Sequence, residues 1–286
     1  MNSYIQGVLD YAKVTKPGHS SPAGADLFEI AESSLLDDAA KQRFHSIVAK
    51  LLYLAKRIRP DLLTAVSYLT TRVRAPTVSD NKKLLRALGY LKRTENCSLQ
   101  LDVGTQPTLQ MYVDASFAVH PNRHGHTGVL VFLGNALVFA SSKKQKQLAK
   151  SSTEAEIIAA SDSLDVGRWL CKFLDSLGFQ TPCVLFQDNT SAMSLLRQSK
   201  ASSSFRKFID IRRLTISSMI QRRELSIAHM PTGNMLADLL TKPIMGQTFS
   251  SLRNGLGIIV SDFSTDNDKS DRSVVVLCEL QVICVM

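Results

Sequence analysis

The sequence predicts an α/β protein: a mixed five-stranded sheet with helices on both faces, preceded by a small helical segment. Three observations support this class. Apolar side chains recur at a helical period between residues 41 and 91. Apolar runs separated by turn residues follow between residues 96 and 148, and helical and strand-like stretches then alternate to residue 240. Three strands followed by helix, strand, helices, strand and helix make a mixed sheet that helices cover.

The predicted helical segment covers residues 26–100 and follows a leader. Residues 1–25 are rich in glycine, proline and serine, which favours an extended leader. The first helix is expected from Lys41, where the apolar period begins. Pro60 is typical of the first turn of a second helix, and Ser79 is the expected cap of a third.

The sheet domain is expected over residues 101–250. Gly134 and Asn135 separate two apolar runs, which predicts a tight hairpin. Residues 251–286 match no recognisable pattern and are expected to form a poorly ordered tail. The predicted strands are 109–114, 127–134, 136–142, 183–188 and 224–229, and the predicted helices are 153–177, 189–198, 206–222 and 233–240.

Composition narrows the classes of function. A hydrophobic content of 44% in 286 residues supports real cores and argues against global disorder. A net charge of +9 favours a polyanionic partner, with ordinary solubility charge as the alternative. The five cysteines show no CxxC spacing, which argues against a zinc site or a disulfide framework. The apolar stretches are shorter than the roughly 20 residues that a membrane helix needs, so no membrane partner is expected.

Four acidic residues in four separate segments predict a metal site. Asp114 and Asp188 each end an apolar strand, Glu156 lies just inside a helix, and Asp238 falls in the last predicted helix. Four carboxylates brought together repel strongly, and divalent cations relieve that repulsion. Oxygen ligands suit Mg²⁺ or Mn²⁺, and a pair of such ions about 3.5–4 Å apart is a recurrent device for cutting phosphodiesters.

Five motifs make the arrangement recognisable. They are YVDAS at 112–116, SSKKQK at 141–146, SSTEAE at 151–156, QDNTSA at 187–192 and ADLLTKP at 237–243. In this order they resemble the ribonuclease H domain of copia-type LTR retrotransposon Pol polyproteins. Residues 44–61 resemble the connection segment between reverse transcriptase and that domain. The resemblance runs from about residue 26 to about residue 250, and the polymerase motif Tyr-x-Asp-Asp is absent from the chain.

The resemblance implies a ribonuclease H-like fold and a metal-dependent endonuclease that hydrolyses the RNA strand of RNA–DNA hybrids. It implies two Mg²⁺ ions, for which Mn²⁺ can substitute. Asp114 is expected to bridge both ions, with Glu156 and Asp188 on one and Asp238 on the other. The implied partners are the RNA–DNA hybrid and the remainder of a Pol polyprotein, in the cytoplasm or in virus-like particles.

Ordinary structural roles compete with each of these assignments. Asp114 could initiate a turn, Asp188 could cap a helix, and Asp238 could form a surface pair four residues along its helix. Glu154 lies three residues after a serine, the spacing of a capping box, and its helical stripe is mainly polar. Glu156 shares a small, apolar stripe that suits a sheet, so Glu156 rather than Glu154 is the expected ligand.

A second group of residues is expected to contact nucleic acid. Its members are Lys143, Lys144, Lys146, Lys150, Ser151, Ser152 and Asn189. The lysine run leads into the helix of Glu156, where phosphates must pass, although a solvated face is the alternative. Ser142 and Gln145 are further candidates for sugar or phosphate contact. The loop histidines 120, 124 and 126 are expected at the surface or on nucleic acid, and His229 is expected to be an exposed strand-end residue.

One segment departs from the resemblance. Phe208 stands where the copia pattern has histidine, and Arg213 stands where it has tyrosine. These changes favour a second hypothesis, a catalytically decayed module that only binds nucleic acid or protein. An integrase or transposase is disfavoured, because those enzymes place their glutamate after the second aspartate, whereas Glu156 precedes Asp188.

Overall fold

The computed structural model describes residues 1–104, 108–200 and 207–260. The described chain divides into two compact units. The sheet unit comprises residues 102–241. The helical unit comprises residues 1–101 together with the described residues after 241. The predicted sheet domain extended to residue 250, whereas the sheet unit ends at Thr241.

The helical unit begins with a helix where an extended leader was predicted. Its helices are α1 (Asn2–Ala12), α2 (Asp38–Arg57), α3 (Leu63–Thr70), α4 (Val78–Arg93) and, later in the chain, α8 (Gly246–Gly255). In α1, Ile5, Val8 and Leu9 are buried at helical spacing, and Gly7 lies on the exposed side of the helix. Thr77, not Ser79, caps α4, since Thr77 and Asp80 form a reciprocal capping box.

The described part of the predicted tail is ordered. Residues 251–255 complete α8, and strand β7 (Ile258–Val260) pairs antiparallel with β1 (Cys97–Leu99). Phe249 of α8 packs edge-on against Tyr90 of α4, with ring centroids 5.5 Å apart. The prediction of poor order is therefore wrong for 251–260, and the rest of that prediction, 261–286, lies outside the described residues.

The sheet unit contains the predicted mixed five-stranded sheet. Its strands are β2 (Leu109–Ser116), β3 (His126–Leu133), β4 (Ala136–Lys144), β5 (Cys183–Gln187) and β6 (Ser226–His229), in the order β4-β3-β2-β5-β6. The pairs β2–β3 and β3–β4 are antiparallel, whereas β2–β5 and β5–β6 are parallel. Gly134 and Asn135 form the predicted tight hairpin between β3 and β4.

Helical elements cover both faces of this sheet, as predicted. They are α5 (Ser152–Ser176), α6 (Thr190–Arg197), α7 (Lys207–Gln221) and two short 3₁₀ helices, Thr232–Asn234 and Leu236–Leu240. Gly167 of α5 lies against Met111, whereas Gly128 of β3 lies against Ala237 and Leu240. Gly128 pairs with Asp114 on β2, and Asp114 is three residues after Met111. Because side chains alternate along a strand, these two contacts lie on opposite faces of the sheet.

The prediction of a single last helix over residues 233–240 is wrong in the type of helix. Two 3₁₀ helices replace it, separated by Met235 in an extended conformation. The second one carries Asp238 within residues 236–241, termed the Asp238 segment below. Side-chain hydroxyls of the sheet bind the carbonyls of Leu240 and Thr241, so these carbonyls meet the sheet rather than the next helical turn. No described helix combines the length and the apolar character needed to cross a membrane.

Candidate metal centre

Three aspartates meet at one edge of the sheet. One carboxylate oxygen from each of Asp114, Asp188 and Asp238 lies within 4.8 Å of the others. Asp114 occupies β2, and Asp188 directly follows β5, which runs parallel to β2, so the two carboxylates leave the sheet at the same edge. The Asp238 segment adds the third from across β3. Asp114 and Asp238 are 2% and 8% exposed, which removes most of the water that could screen them.

Glu156 lies beside this cluster, although it is outside the group of mutually close oxygens. Its side chain is buried in the first turns of α5, where it accepts a hydrogen bond from Gln187 Nε2 at 3.1 Å and one from the backbone of Ala115. Burial and the negative charges of Asp114 and Asp188 raise the pKa of Glu156 well above its usual value. The structure therefore gathers four carboxyl groups in one place, which suits a hard divalent cation that prefers oxygen ligands.

The residue after Asp188 caps α6, so the Asp188 side chain is not used as the helix cap. Asn189, not Asp188, caps α6, since its side chain accepts the Ala192 N–H at 2.9 Å. The helix-cap interpretation of Asp188 is therefore wrong. Thr232 Oγ1 instead donates to Asp188 Oδ2 at 3.1 Å.

Two neutral side chains that the sequence analysis did not single out hold the acids in place. Thr241 Oγ1 donates a hydrogen bond to Asp114 Oδ2, which links the Asp238 segment to β2. Gln187, fully buried at the end of β5, donates to Glu156. Both lie next to predicted ligands, Gln187 one residue before Asp188 and Thr241 three residues after Asp238. Their closeness in sequence to predicted ligands is the signal from which these supporting roles could have been predicted.

Glu154 caps its helix as predicted, but it is not on a solvated face. Ser151 Oγ accepts the Glu154 N–H at 3.2 Å, and Glu154 Oε2 accepts the Lys150 N–H at 2.8 Å. Glu154 is 5% exposed and Glu156 is 4% exposed, so burial does not separate the two glutamates. Their neighbours do: the Glu154 carboxylate accepts a backbone N–H at the helix start, whereas Glu156 lies near the carboxylates of Asp114 and Asp188.

Comparison with known proteins supports the resemblance stated above. No protein-family model matches the chain. The chain is 32% identical over 246 residues to the retrovirus-related Pol polyprotein from transposon RE1 of Arabidopsis thaliana, and 32% identical over 221 residues to that from transposon TNT 1-94 of Nicotiana tabacum. The alignments cover 85% and 77% of the chain. The chain is a homologue of copia-type Pol polyproteins.

The chain spans 16% of the length of each of these Pol relatives, so it corresponds to a segment of them. Among solved structures, it is similar to LC11-RNase H1, isolated from compost by a metagenomic approach. That match has a TM-score of 0.37 and 18% identity, and it covers 47% of this chain and 92% of the other.

The lysine run borders a cleft on the α5 side of the sheet. The cleft has a volume of about 790 Å³, and Lys143, Lys144 and Lys146 line it together with Arg168 and Arg212. Lys143 and Lys146 are exposed, whereas Lys144 is half-buried. Successive strand residues point to opposite faces, so Lys143 and Lys144 leave β4 in different directions. The run is therefore not one continuous basic stripe.

The polar residues near the lysines divide into exposed and buried groups. Lys150, Ser151 and Ser152 are exposed at the start of α5. Gln145 is buried and donates to Thr127 Oγ1 and to the Ala155 carbonyl, both at 3.0 Å. Ser142 is also buried. The prediction that Ser142 and Gln145 reach sugar or phosphate is therefore wrong, since both are used within the fold.

Two of the three loop histidines are buried, contrary to the prediction of surface positions. His120 and His126 are 3% and 0% exposed, and His120 Nε2 lies 3.0 Å from His126 Nδ1. Burial and the positive charge of Lys144 lower the pKa of His120 to about 4 and that of His126 to about 3. His124 bonds the Gln145 carbonyl at 2.7 Å. His229 is exposed at the end of β6, as predicted.

The departure of this chain from the Pol pattern at Arg213 has a structural explanation. Arg213 is fully buried in α7 and pairs with Asp210 at 2.7 Å. Its guanidinium also donates to the carbonyls of Leu195 at 3.2 Å and Gln198 at 2.6 Å, which end α6. Arg213 therefore fastens α6 to α7. Phe208 lies on α7 and lines the cleft.

Proposed function

We propose that the chain is a metal-dependent endonuclease that hydrolyses the RNA strand of RNA–DNA hybrids within a retrotransposon Pol machinery. The observation that carries the proposal is the meeting of Asp114, Asp188 and Asp238 within 4.8 Å, with buried Glu156 beside them. The homology to Pol polyproteins supports it, because that family supplies the hybrid as substrate class.

The donor set suits Mg²⁺, with Mn²⁺ as a substitute. All four side chains are carboxylates, and hard divalent cations prefer such oxygen ligands. Asp114, Asp188 and Asp238 would hold the ions, and Glu156 would complete the set. Bound divalent ions supply acidification of the attacking water and stabilisation of charge on the leaving oxygen.

The chain's own residues supply position. Thr241 fixes the orientation of the Asp114 carboxylate, and Thr232 fixes that of Asp188. Gln187 holds Glu156 in its buried position. These hydrogen bonds restrict the rotation of the ligands before a substrate arrives, which is the usual contribution of residues behind a metal ligand.

The basic side chains near the cluster would hold the substrate backbone. Lys143 and Lys146 are exposed along the cleft, and Lys150, Ser151 and Ser152 are exposed at the start of α5, the helix of Glu156. Contacts to phosphate supply affinity without reading sequence, as expected for an enzyme that acts on hybrids of any sequence. Asn189 caps α6 through its oxygen, so only its amide group would serve the substrate.

Cleavage of a labelled RNA–DNA hybrid tests the proposal. We expect cleavage of the RNA strand with Mg²⁺, none with a chelator, and none of duplex DNA. Asp114→Asn removes one charge at constant volume and should lower cleavage by at least about 100-fold, above the effect of losing a residue behind a ligand. Hybrid binding by this variant should stay close to that of the wild-type protein.

Asp175→Asn is the matched control, because Asp175 is exposed near the end of α5 and lines a different cleft, near the start of β5. It should cleave like the wild-type protein. Hybrid binding without cleavage by the wild-type protein would replace the enzyme with the decayed binding module. Wild-type activity in Asp114→Asn would refute the assignment of the centre.

A further inference from the structure

The Asp238 segment is held against the sheet by two serine hydroxyls. Ser142 Oγ on β4 donates to the Leu240 carbonyl at 2.8 Å, and Ser116 Oγ at the end of β2 donates to the Thr241 carbonyl at 3.0 Å. The two bonds join residues 98 and 125 positions apart in the chain. The segment has only short 3₁₀ turns of its own, so these two bonds, together with the bond from Thr241 Oγ1 to Asp114, contribute to where it lies.

The bond from Ser142 to Leu240 is the last in a buried series of hydrogen bonds that begins at His120. A serine hydroxyl has one proton, and Ser142 gives it to Leu240. Ser142 must then accept from His126 Nε2, which lies 2.7 Å away. A neutral His126 with its proton on Nε2 has an acceptor at Nδ1, and His120 Nε2 donates to it at 3.0 Å.

Each member of this series is buried, so its partners cannot readily be replaced by water. His126 is 0% exposed, His120 is 3% exposed and Ser142 is 7% exposed. The lowered pKa values of both histidines agree with the neutral forms that the series requires. The bond directions run without conflict from His120 to the Asp238 segment.

We propose that His126, Ser142 and Ser116 are positioning residues that set the place of Asp238 in the acidic cluster. This inference rests on the proposed function, since it gives Asp238 a metal to hold. Ser142 and Ser116 act through the carbonyls of Leu240 and Thr241, and His126 acts through Ser142. Loss of residues that orient a metal ligand typically weakens metal binding about 10–100-fold.

Mn²⁺ binding to the full chain, followed by the loss of the free-ion paramagnetic resonance signal, tests the proposal. Ser142→Ala and His126→Leu should weaken Mn²⁺ binding about tenfold. Hybrid cleavage should need correspondingly more Mn²⁺ to reach half of its maximum, whereas the rate at saturating Mn²⁺ should change little. Ser142→Thr keeps the hydroxyl and should restore most of the affinity.

Ser163→Ala is the matched control. Ser163 is a buried serine that donates to a backbone carbonyl, that of Ala160 at 2.7 Å, and this bond stays within α5. It should bind Mn²⁺ within about twofold of the wild-type protein. Ser116→Ala, at a half-buried strand end, is the second test if Ser142→Ala does not fold, and it should weaken Mn²⁺ binding in the same direction.

Hydrogen exchange separates this inference from the proposed function. The Asp238 amide donates to the Met235 carbonyl and the Thr241 amide donates to the Asp238 carbonyl. Both amides should exchange faster in Ser142→Ala and Ser116→Ala than in Ser163→Ala. A wild-type protein that binds no Mn²⁺ overturns the proposed metal function, while the exchange result still reports on positioning. Unchanged exchange and unchanged Mn²⁺ affinity in both variants would overturn the positioning role.

Discussion

At the scale of single residues, three buried groups in or near the centre have pKa values shifted from those in water. Glu156 is surrounded by negative charge, and His120 and His126 are neutral within the fold. In each case burial disfavours the charged form, because the interior solvates charge less well than water does. Activity and stability therefore respond differently to changes at these positions.

Glu156→Gln should lower hybrid cleavage on the order of tenfold or more relative to Glu154→Gln. Glutamine at 156 has the same size but loses the negative charge near Asp114 and Asp188. Glutamine at 154 keeps an oxygen that can accept the Lys150 N–H. Cleavage rates at equal Mg²⁺ check this prediction, and equal losses in the two variants would mean that Glu156 is not a ligand.

The same substitution should stabilise the metal-free fold. The raised pKa of Glu156 means that folding opposes its ionisation, so at neutral pH the carboxylate opposes folding. Urea unfolding in chelator at pH 7 should show a more stable Glu156→Gln protein. A less stable variant would indicate that its hydrogen bonds outweigh the repulsion.

Stability should also fall in mild acid because of the histidine pair. The pKa values of His120 and His126, about 4 and about 3, lie below the value of roughly 6.5 in an unfolded chain. Below pH 6.5 the unfolded state binds protons that the folded state does not. The free energy of unfolding should therefore fall by up to about 1.4 kcal/mol per pH unit for each histidine.

Urea unfolding between pH 7.5 and pH 5 measures this slope. Lys144 and His124 are the other charged or titratable groups that act on the pair. His126→Phe removes one of the two groups and should flatten the slope. His229→Phe is the control, since its ring is already exposed, and it should keep the wild-type slope. A wild-type stability that does not change over this range would contradict buried neutral histidines.

At the scale of elements, the close approach of the Asp238 segment to β3 depends on a glycine. A Cβ atom on Gly128 would lie 2.8 Å from each of Ala237 O, Leu240 Cβ and Thr241 Cγ2. Two of these atoms cannot move without the segment, because one is backbone and one is a Cβ. Since Gly128 pairs with Asp114 across β2 and β3, its lack of a side chain lets Asp238 approach Asp114.

Gly128→Ala should displace the Asp238 segment. Overpacking of this kind destabilises proteins by about 1–3 kcal/mol, and Mn²⁺ binding should weaken as well. Gly233→Ala is the matched control, because Gly233 is exposed and its added Cβ would meet nothing within 4 Å. Unfolding and Mn²⁺ titration measure both effects. Wild-type metal affinity in Gly128→Ala would show that the segment tolerates displacement.

At the scale of the whole molecule, topology places charge that is scattered along the sequence. The parallel pairing of β2 with β5 puts Asp114 and Asp188 at one edge of the sheet, and α5 begins at the same edge with Glu156. The chain as a whole has a net charge of +9 despite this acidic centre. The exposed lysines along the cleft would attract a polyanion, while the acids would bind cations.

Hybrid binding should therefore weaken steeply with salt. Each phosphate contact contributes roughly 0.7–0.9 to the log–log slope, so Lys143→Ala with Lys146→Ala should lower the slope by about 1.5. Lys172→Ala with Arg223→Ala is the control. These exposed residues line a different cleft, near the start of β5, and their loss should leave most of the slope. Equal changes in both double variants would favour general charge over local contact.

The sequence by itself determined the order and type of most elements and the identity of the four acids. Periods of apolar residues and turn signals are local, so β2 to β5 and α5 were predictable to within about two residues. The prediction of an extended leader was wrong, because it relied on the glycine and proline content of residues 1–25. The short helical stripe of Ile5, Val8 and Leu9 was the better signal.

Only the tertiary structure decided which polar residues are buried and what they contact. His126, Ser142 and Gln145 were predicted near the surface or on substrate, yet all three are buried and bonded within the sheet unit. The bond from Ser142 to Leu240 joins residues 98 positions apart, and no local pattern encodes such a contact. The fold brings distant segments together, and burial then determines whether a polar side chain meets substrate or another part of the chain.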